Sequence, residues 1–148
     1  MKRFISIMIL LLMLIGTDSC SKQDNSQSLS NVSAPNWEID TTGKYPLSMT
    51  AVVKVPVSIA ADVSESDQMG AFCGDECRGL GSLIKTGTAS LFFIMIHGTG
   101  LEQVPISFRY YSSKNSRLYD TAPFLNFEID GNYGTVDNPG VPDMKQVK

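Results

Sequence analysis

The chain has 148 residues, of which 12 are basic and 15 are acidic, and its formal net charge is −3. That length suits one folded domain, and the near balance of charge without a basic patch argues against a nucleic-acid partner. Aromatic and β-branched residues are frequent enough for the body of the chain to fold.

The N-terminus has the pattern of a secretory signal. The basic pair Lys2-Arg3 precedes an apolar run over 4–16, which is too short to span a membrane comfortably. Ser19 before Cys20 resembles a bacterial lipobox, although the two residues before Ser19 depart from the usual ones. We expect a lipoprotein signal peptide at 1–19 and membrane attachment through lipidated Cys20. The alternative is ordinary cleavage nearby, which leaves a free thiol.

Residues 20–35 are rich in Ser, Asn and Gln and nearly devoid of apolar side chains. Such a segment cannot bury a core, so we expect a flexible polar tether. The folded domain is predicted for 36–139. The last residues, 140–148, contain Pro and Gly without apolar periodicity, and we expect a frayed tail.

The body of the chain shows the alternation of β-strands. A short edge strand is predicted at 37–40, and the continuous apolar run at 88–96 predicts a strand covered on both faces. Over 47–55, the residues predicted to face inward are Leu47, Met49, Ala51, Val53 and Val55. About eight short segments separated by turn residues, with no amphipathic helix, predict an all-β fold. The expected architecture is an antiparallel β-sandwich, immunoglobulin-like or related.

Residues 69–80 predict a tight β-hairpin whose turn is 74–76, because glycine beside acidic residues is typical of turns. With that turn, Cys73 and Cys77 lie opposite each other, at a separation that a disulfide closes with a small shift. The alternatives are two free thiols and a zinc site, which would need further ligands. Lipidation of Cys20 would leave these two cysteines as an even pair, which favours the disulfide.

The stretch Ala71-Phe-Cys-Gly-Asp-Glu-Cys-Arg-Gly79, preceded by Asp67, resembles the hairpin signature of small β-sandwich modules in Bacteroidetes lipoproteins and secreted proteins. The similarity extends over roughly 37–139. It implies a fold and an outer-membrane location, periplasmic or surface-exposed, and it implies no chemistry. The structural motif comprises Asp67, Gly74, Arg78 and Gly79.

Arg78 and Asp67 are expected to form an ion pair that ties the polar connection before the hairpin to the hairpin itself. The alternative is that Arg78 binds a ligand carboxylate. His97 is the only histidine, and the chain has no G-x-S-x-G, so we interpret it as a strand-end residue. We predict no catalytic residues, no cofactor and no enzyme activity.

Three further patterns yield candidates. The turn 130–138 has alternating oxygen ligands but lacks the glutamate of a calcium loop, so we expect an ordinary turn and no metal site. Thr41 and Thr121 follow aspartates in a short pattern associated with O-glycosylation. Tyr111 and Tyr119 are the candidate ligand-facing aromatics.

We interpret the protein as a non-catalytic envelope lipoprotein whose domain recognises a glycan or a surface protein. A structural or assembly component of an envelope complex is the alternative, and a small hydrolase is less favoured. An exposed aromatic strip would favour the first function, and a long exposed edge strand would favour the second.

Overall fold

The computed structural model describes residues 31–148, and these form eight β-strands and no helix. The signal peptide, Cys20 and most of the tether lie outside the described residues. The strands are β1 (Leu47–Val53), β2 (Gln68–Cys73), β3 (Glu76–Thr86), β4 (Ala89–Gly98), β5 (Ile106–Ser112), β6 (Arg117–Asp120), β7 (Asn132–Tyr133) and β8 (Lys145–Gln146).

All eight strands belong to one sheet, in the order β7-β1-β4-β3-β2-β5-β6-β8. Every pair is antiparallel except β1 with β7, which is parallel. The all-β class with about eight strands is confirmed. The expected sandwich of two sheets is not what residues 31–148 form, because the single sheet curls into a half-barrel.

The curl follows from β3, which pairs with two neighbours in turn. Its first part pairs with β2 as far as Leu80, and from Gly81 onward it pairs with β4. A Cβ at Gly79 would clash with the carbonyl oxygen of Met95, and a Cβ at Gly81 would lie 3.0 Å from the ring of Phe92. The two glycines therefore permit a close approach at the point where one continuous strand changes partner.

The hydrophobic core fills the inside of the curl. Four of the five residues predicted to face inward, Met49, Ala51, Val53 and Val55, are buried, whereas Leu47 at the start of β1 is only half-buried. Side chains of β4, the neighbouring strand, lie beside them, and side chains of β2 and β5 complete the core. Burying each large apolar side chain contributes about 1.5–3 kcal/mol. The largest core side chains of these three strands are Met69, Phe92, Ile94, Ile96, Ile106, Phe108 and Tyr110.

The C-terminal residues are part of the domain, and the expected frayed tail is wrong. The backbone of Gly140 exchanges hydrogen bonds with the first strand segment, donating to Val52 O (2.9 Å) and accepting from Lys54 N (2.8 Å). Met144 is buried in the core, and β8 pairs with β6. Backbone pairing with two different strands, which apolar periodicity does not reveal, fixes this segment.

The predicted edge strand at 37–40 is also wrong. Residues 31–40 have no regular secondary structure, and they lie across the outer face of the sheet. Val32 N donates to Ser116 O (2.7 Å), and the Trp37 ring packs edge-on against Phe72 with 5.3 Å between centroids. Gly70 provides the space, because a Cβ there would lie 2.8 Å from the Phe72 ring and 3.2 Å from Trp37.

The hairpin forms, but its register differs from the predicted one. The turn is Gly74-Asp75, with Gly74 at φ 62, so that Cys73 pairs with Glu76 and Cys77 pairs with Phe72. Because side chains alternate along a strand, a change of one residue places the two thiols on opposite faces. Both cysteines are free, and Cys73 Sγ donates to Val104 O (3.1 Å). The predicted disulfide is therefore wrong.

Asp67 does not pair with Arg78, so that prediction is wrong as well. Its carboxylate accepts hydrogen bonds from the Tyr110 hydroxyl, from the amide and hydroxyl of Ser113, and from Ser64 N. Burial raises the pKa of Asp67, but these hydrogen bonds outweigh it, and the pKa lies below the usual 3.8. Asp67 thereby fixes the connection between β1 and β2 to the end of β5.

We expect Asp67→Asn to lower the free energy of unfolding by about 2–4 kcal/mol near neutral pH, because an amide NH₂ would face hydrogen-bond donors. The folded-state pKa of Asp67 is lowered, so its stabilising contribution is present above the unfolded pKa of about 3.9 and is lost as pH falls toward the folded value. The difference between wild type and variant should therefore narrow between about pH 5 and pH 2.

Urea unfolding of the full chain over that pH range measures both effects. Asp137→Asn, at an exposed aspartate, is the matched control and should leave stability almost unchanged. Equal stability of wild type and Asp67→Asn at neutral pH would contradict the role of this carboxylate.

Candidate functional site

The outer face of the hairpin and the N-terminal segment (residues 31–46, before β1) enclose a cleft of about 350 Å³, which we call the Trp37 cleft. Its floor is aromatic and its rim carries both signs of charge. The lining residues are Asn36, Trp37, Glu38, Asp40, Tyr45, Phe72, Asp75, Glu76, Cys77 and Arg109.

The floor is rigid because its rings hold one another. Phe72 is buried, and the partly buried Trp37, the only tryptophan of the chain, packs against it with an angle of 76° between the rings. The guanidinium of Arg109 lies 4.2 Å from the centroid of the Phe72 ring. A cation at this distance from an aromatic ring is attracted to it, so Arg109 is held beside the cleft.

The rim presents carboxylates whose positions are fixed by neighbours. Asp75 pairs with Arg109 (2.9 Å), and Glu38 accepts a hydrogen bond from the Asn36 amide (2.9 Å). Asp40 accepts hydrogen bonds from the amide (2.7 Å) and hydroxyl (2.6 Å) of Thr42. These carboxylates retain further lone pairs, which can accept hydrogen bonds from a ligand.

Glu76 is the most strongly perturbed of these carboxyl groups. Hydrogen bonds from Lys44 (2.8 Å) and the Tyr45 hydroxyl (2.6 Å) lower the pKa of Glu76 to about 2. It is therefore ionised at any physiological pH. An ionised acceptor in this position suits binding and does not suit general acid catalysis.

Arg78 lies beneath the cleft, with its side chain only 8% exposed. Its guanidinium carbon is 3.4 Å from the centroid of the Tyr45 ring, which covers it. It forms ion pairs with Glu76 (3.1 Å) and Glu102 (3.3 Å) and donates to His97 O (3.4 Å). Arg78 therefore supports the floor of the cleft, and the alternative in which it contacts a ligand carboxylate directly is not favoured.

Glu102 is the buried partner, with its side chain 6% exposed. Burial raises its pKa, but hydrogen bonds, foremost from the Thr99 backbone amide, outweigh this and hold the pKa below the usual value. Arg78 Nε and Glu102 Oε2 have no hydrogen-bond partner among the described residues. Removal of either charged group would leave the other one buried with fewer ion-pair and hydrogen-bond partners.

We expect Arg78→Met to destabilise the domain by about 3–5 kcal/mol, since it leaves the Glu102 carboxylate buried without its cation. Lys85→Met removes an exposed ion pair with Glu65 and serves as the control, with little expected change. Guanidinium chloride unfolding compares the two variants. If Arg78→Met were no less stable than Lys85→Met, the buried pair would have no structural importance.

The two tyrosines predicted to face a ligand do not do so. Tyr111 is 5% exposed and Tyr119 is 8% exposed, and Tyr119 packs against Tyr110 in the core with 6.1 Å between centroids. That prediction is corrected. Trp37 was not among the predicted ligand contacts, because its alternation with acidic residues over 37–40 predicted a strand; a single tryptophan among polar residues is the signal that could have indicated it.

The remaining candidates occupy ordinary positions. The Thr121 hydroxyl is buried and accepts a hydrogen bond from Phe108 N (3.0 Å), so the folded domain does not present it for O-glycosylation, whereas Thr41 is exposed. Asp130 has φ 56 in the turn before β7. No group of three or more His, Cys, Asp or Glu within 31–148 could hold a metal ion. His97 is half-buried near the end of β4.

Comparisons with protein-family models, with curated proteins and with solved structures find no match to this chain. Within residues 31–148, no helix is long and apolar enough to cross a membrane.

Proposed function

We propose that the protein is a non-catalytic, lipid-anchored lipoprotein of the outer membrane, periplasmic or surface-exposed, and that its domain binds a glycan in the Trp37 cleft. The observation that carries the proposal is a partly buried tryptophan at the floor of a cleft whose rim is formed by planar polar side chains.

The chemistry of this lining matches a sugar. A sugar ring has an apolar C–H face that packs on an aromatic side chain, and its hydroxyl groups both donate and accept hydrogen bonds. Trp37 offers the aromatic surface, Glu38 and Asp75 offer acceptors, and Arg109 offers donors. A volume of about 350 Å³ is at the lower end of ligand sites, which suits one or two sugar rings.

The two edges of the sheet are poorly suited to assembly by strand addition, which favours ligand recognition. The strands at the two ends of the sheet, β7 and β8, have two residues each. Such short edges offer few unpaired backbone groups to another chain. A structural role through strand addition therefore has less support than ligand binding.

The sequence of the N-terminus supports the membrane anchor. The basic pair, the apolar run over 4–16 and Ser19-Cys20 together have the pattern of a lipoprotein signal. The resemblance of the hairpin to lipoprotein modules of Bacteroidetes supports the same location.

The anchor is tested by metabolic labelling with a fatty-acid analogue in a bacterial host. We expect label on the full chain and its loss in Cys20→Ala, because acylation requires that thiol. Cys73→Ser is the control and should keep the label. A wild-type chain without covalently bound lipid would contradict the anchor.

The glycan proposal is tested on an array of diverse glycans probed with the full chain. We expect a reproducible hit whose affinity falls about tenfold or more in Trp37→Ala, because a buried aromatic contact carries much of the energy of an interface. Phe124→Leu, outside the cleft, is the control. Trp37 is the only tryptophan, so its fluorescence also reports a hit in solution.

Thermal unfolding shows whether Trp37→Ala remains folded, and Trp37→Phe provides a milder change if it does not. A blank across the array would overturn the glycan function. Binding that is unchanged in both Trp37 variants would overturn the assignment of the cleft.

A further inference from the structure

A second cleft, which we call the seam cleft, lies where the two ends of the curled sheet approach each other. The β7 end and the β6–β8 end border it, the C-terminal segment contributes to its wall, and its volume is about 390 Å³. The lining residues that matter here are Asp120, Phe124, Tyr133, Val141, Asp143 and Lys145.

One wall of the seam cleft is aromatic. Phe124 is 44% exposed although its ring packs against Phe108 (5.9 Å) and against the edge of Tyr133 (5.6 Å). Tyr133 in turn stacks on Phe108 at 5.8 Å and contacts Gly140, where there is no room for a Cβ. The exposed part of Phe124 is thus a fixed surface.

The rest of the rim is charged. Asp120 and Asp143 contribute two carboxylates and Lys145 contributes one ammonium group, which leaves one net negative charge. None of these three side chains has a hydrogen bond or an ion pair to another residue within 31–148. Their charges are therefore available to a ligand.

We propose that the seam cleft binds a small organic cation, an ammonium group on a compact apolar body. A cation within about 6 Å of an aromatic face is attracted by the negative face of the ring, and the two carboxylates add to that attraction. An anion would gain from Lys145 but would meet two carboxylates, so the net charge of the rim favours a cation. A neutral apolar ligand would desolvate the carboxylates without pairing them. This site is separate from the Trp37 cleft and does not depend on a glycan being bound there.

The test is a titration of the full chain with choline and with 3,3-dimethylbutan-1-ol, which has the same shape without the charge. Isothermal titration calorimetry measures both affinities. We expect choline to bind at least about fivefold more tightly than the neutral alcohol, because only the cation uses the aromatic face and the carboxylates electrostatically.

Two variants of the seam cleft, one control variant outside it and the fluorescence of Trp37 locate the site. Phe124→Leu and Asp143→Asn should each weaken choline binding by about three- to tenfold, the first through the aromatic face and the second through the charge. Asp137→Asn removes an exposed carboxylate outside the seam cleft and should leave the affinity unchanged. Trp37 fluorescence should not respond to choline.

Each of four results would overturn the proposal. No saturable choline binding up to about 50 mM, far above the millimolar range in which weak specific sites bind, would do so. Equal affinity for choline and the neutral alcohol, or affinity that neither variant changes, would also do so. A fluorescence response of Trp37 would place the cation in the other cleft. Apart from the fluorescence response, none of these results bears on the glycan proposal.

Discussion

Four separate segments meet at the guanidinium of Arg78. Glu76 comes from the hairpin, Tyr45 from the N-terminal segment, the carbonyl of His97 from β4, and Glu102 from the loop between β4 and β5. A buried guanidinium needs counter-charges close to it, here Glu76 and Glu102, since an unpaired charge in the interior costs several kcal/mol. The contact of Tyr45 with Arg78 and the contact of Trp37 with Phe72 hold the chain before β1 against the hairpin, and that part of the chain forms one side of the Trp37 cleft.

The part of the fold that the sequence predicts is the part that depends on local periodicity. Alternation places Met49, Ala51 and Val53 inside, because one face of the strand meets the core and the other does not. The hairpin is predicted from its glycine and acidic residues. The register of the hairpin is not predicted, because it depends on a turn that is one residue shorter than expected and on a bulge between Ala71 and Phe72.

The candidate sites were harder to predict because contacts distant in sequence create them. Tyr111 and Tyr119 resemble exposed aromatics in the sequence and are buried by residues from other strands and from the C-terminal segment. The Trp37 cleft and the seam cleft are each bordered by a segment with no alternation of its own. Hydrogen bonds such as Val32 N to Ser116 O and Gly140 N to Val52 O fix those segments, and a one-dimensional pattern does not contain them.

The two clefts also differ in what holds them. Ion pairs and a covered guanidinium support the Trp37 cleft, and an aromatic cluster supports the seam cleft. Electrostatic support weakens at extremes of pH, whereas packing of rings does not depend on protonation.

The pairing of β1 has a consequence for when the chain can fold. Its partners are β4 and β7, and the bridge from Val53 to Gly140 adds a contact close to the C-terminus. The first strand therefore has no hydrogen-bonded neighbour among the residues just after it, and sheets built from distant pairings form slowly. A chain emerging from the ribosome can form the β2–β3, β3–β4 and β5–β6 pairs early, whereas β1 cannot be paired on both sides until almost all of the chain has been synthesised.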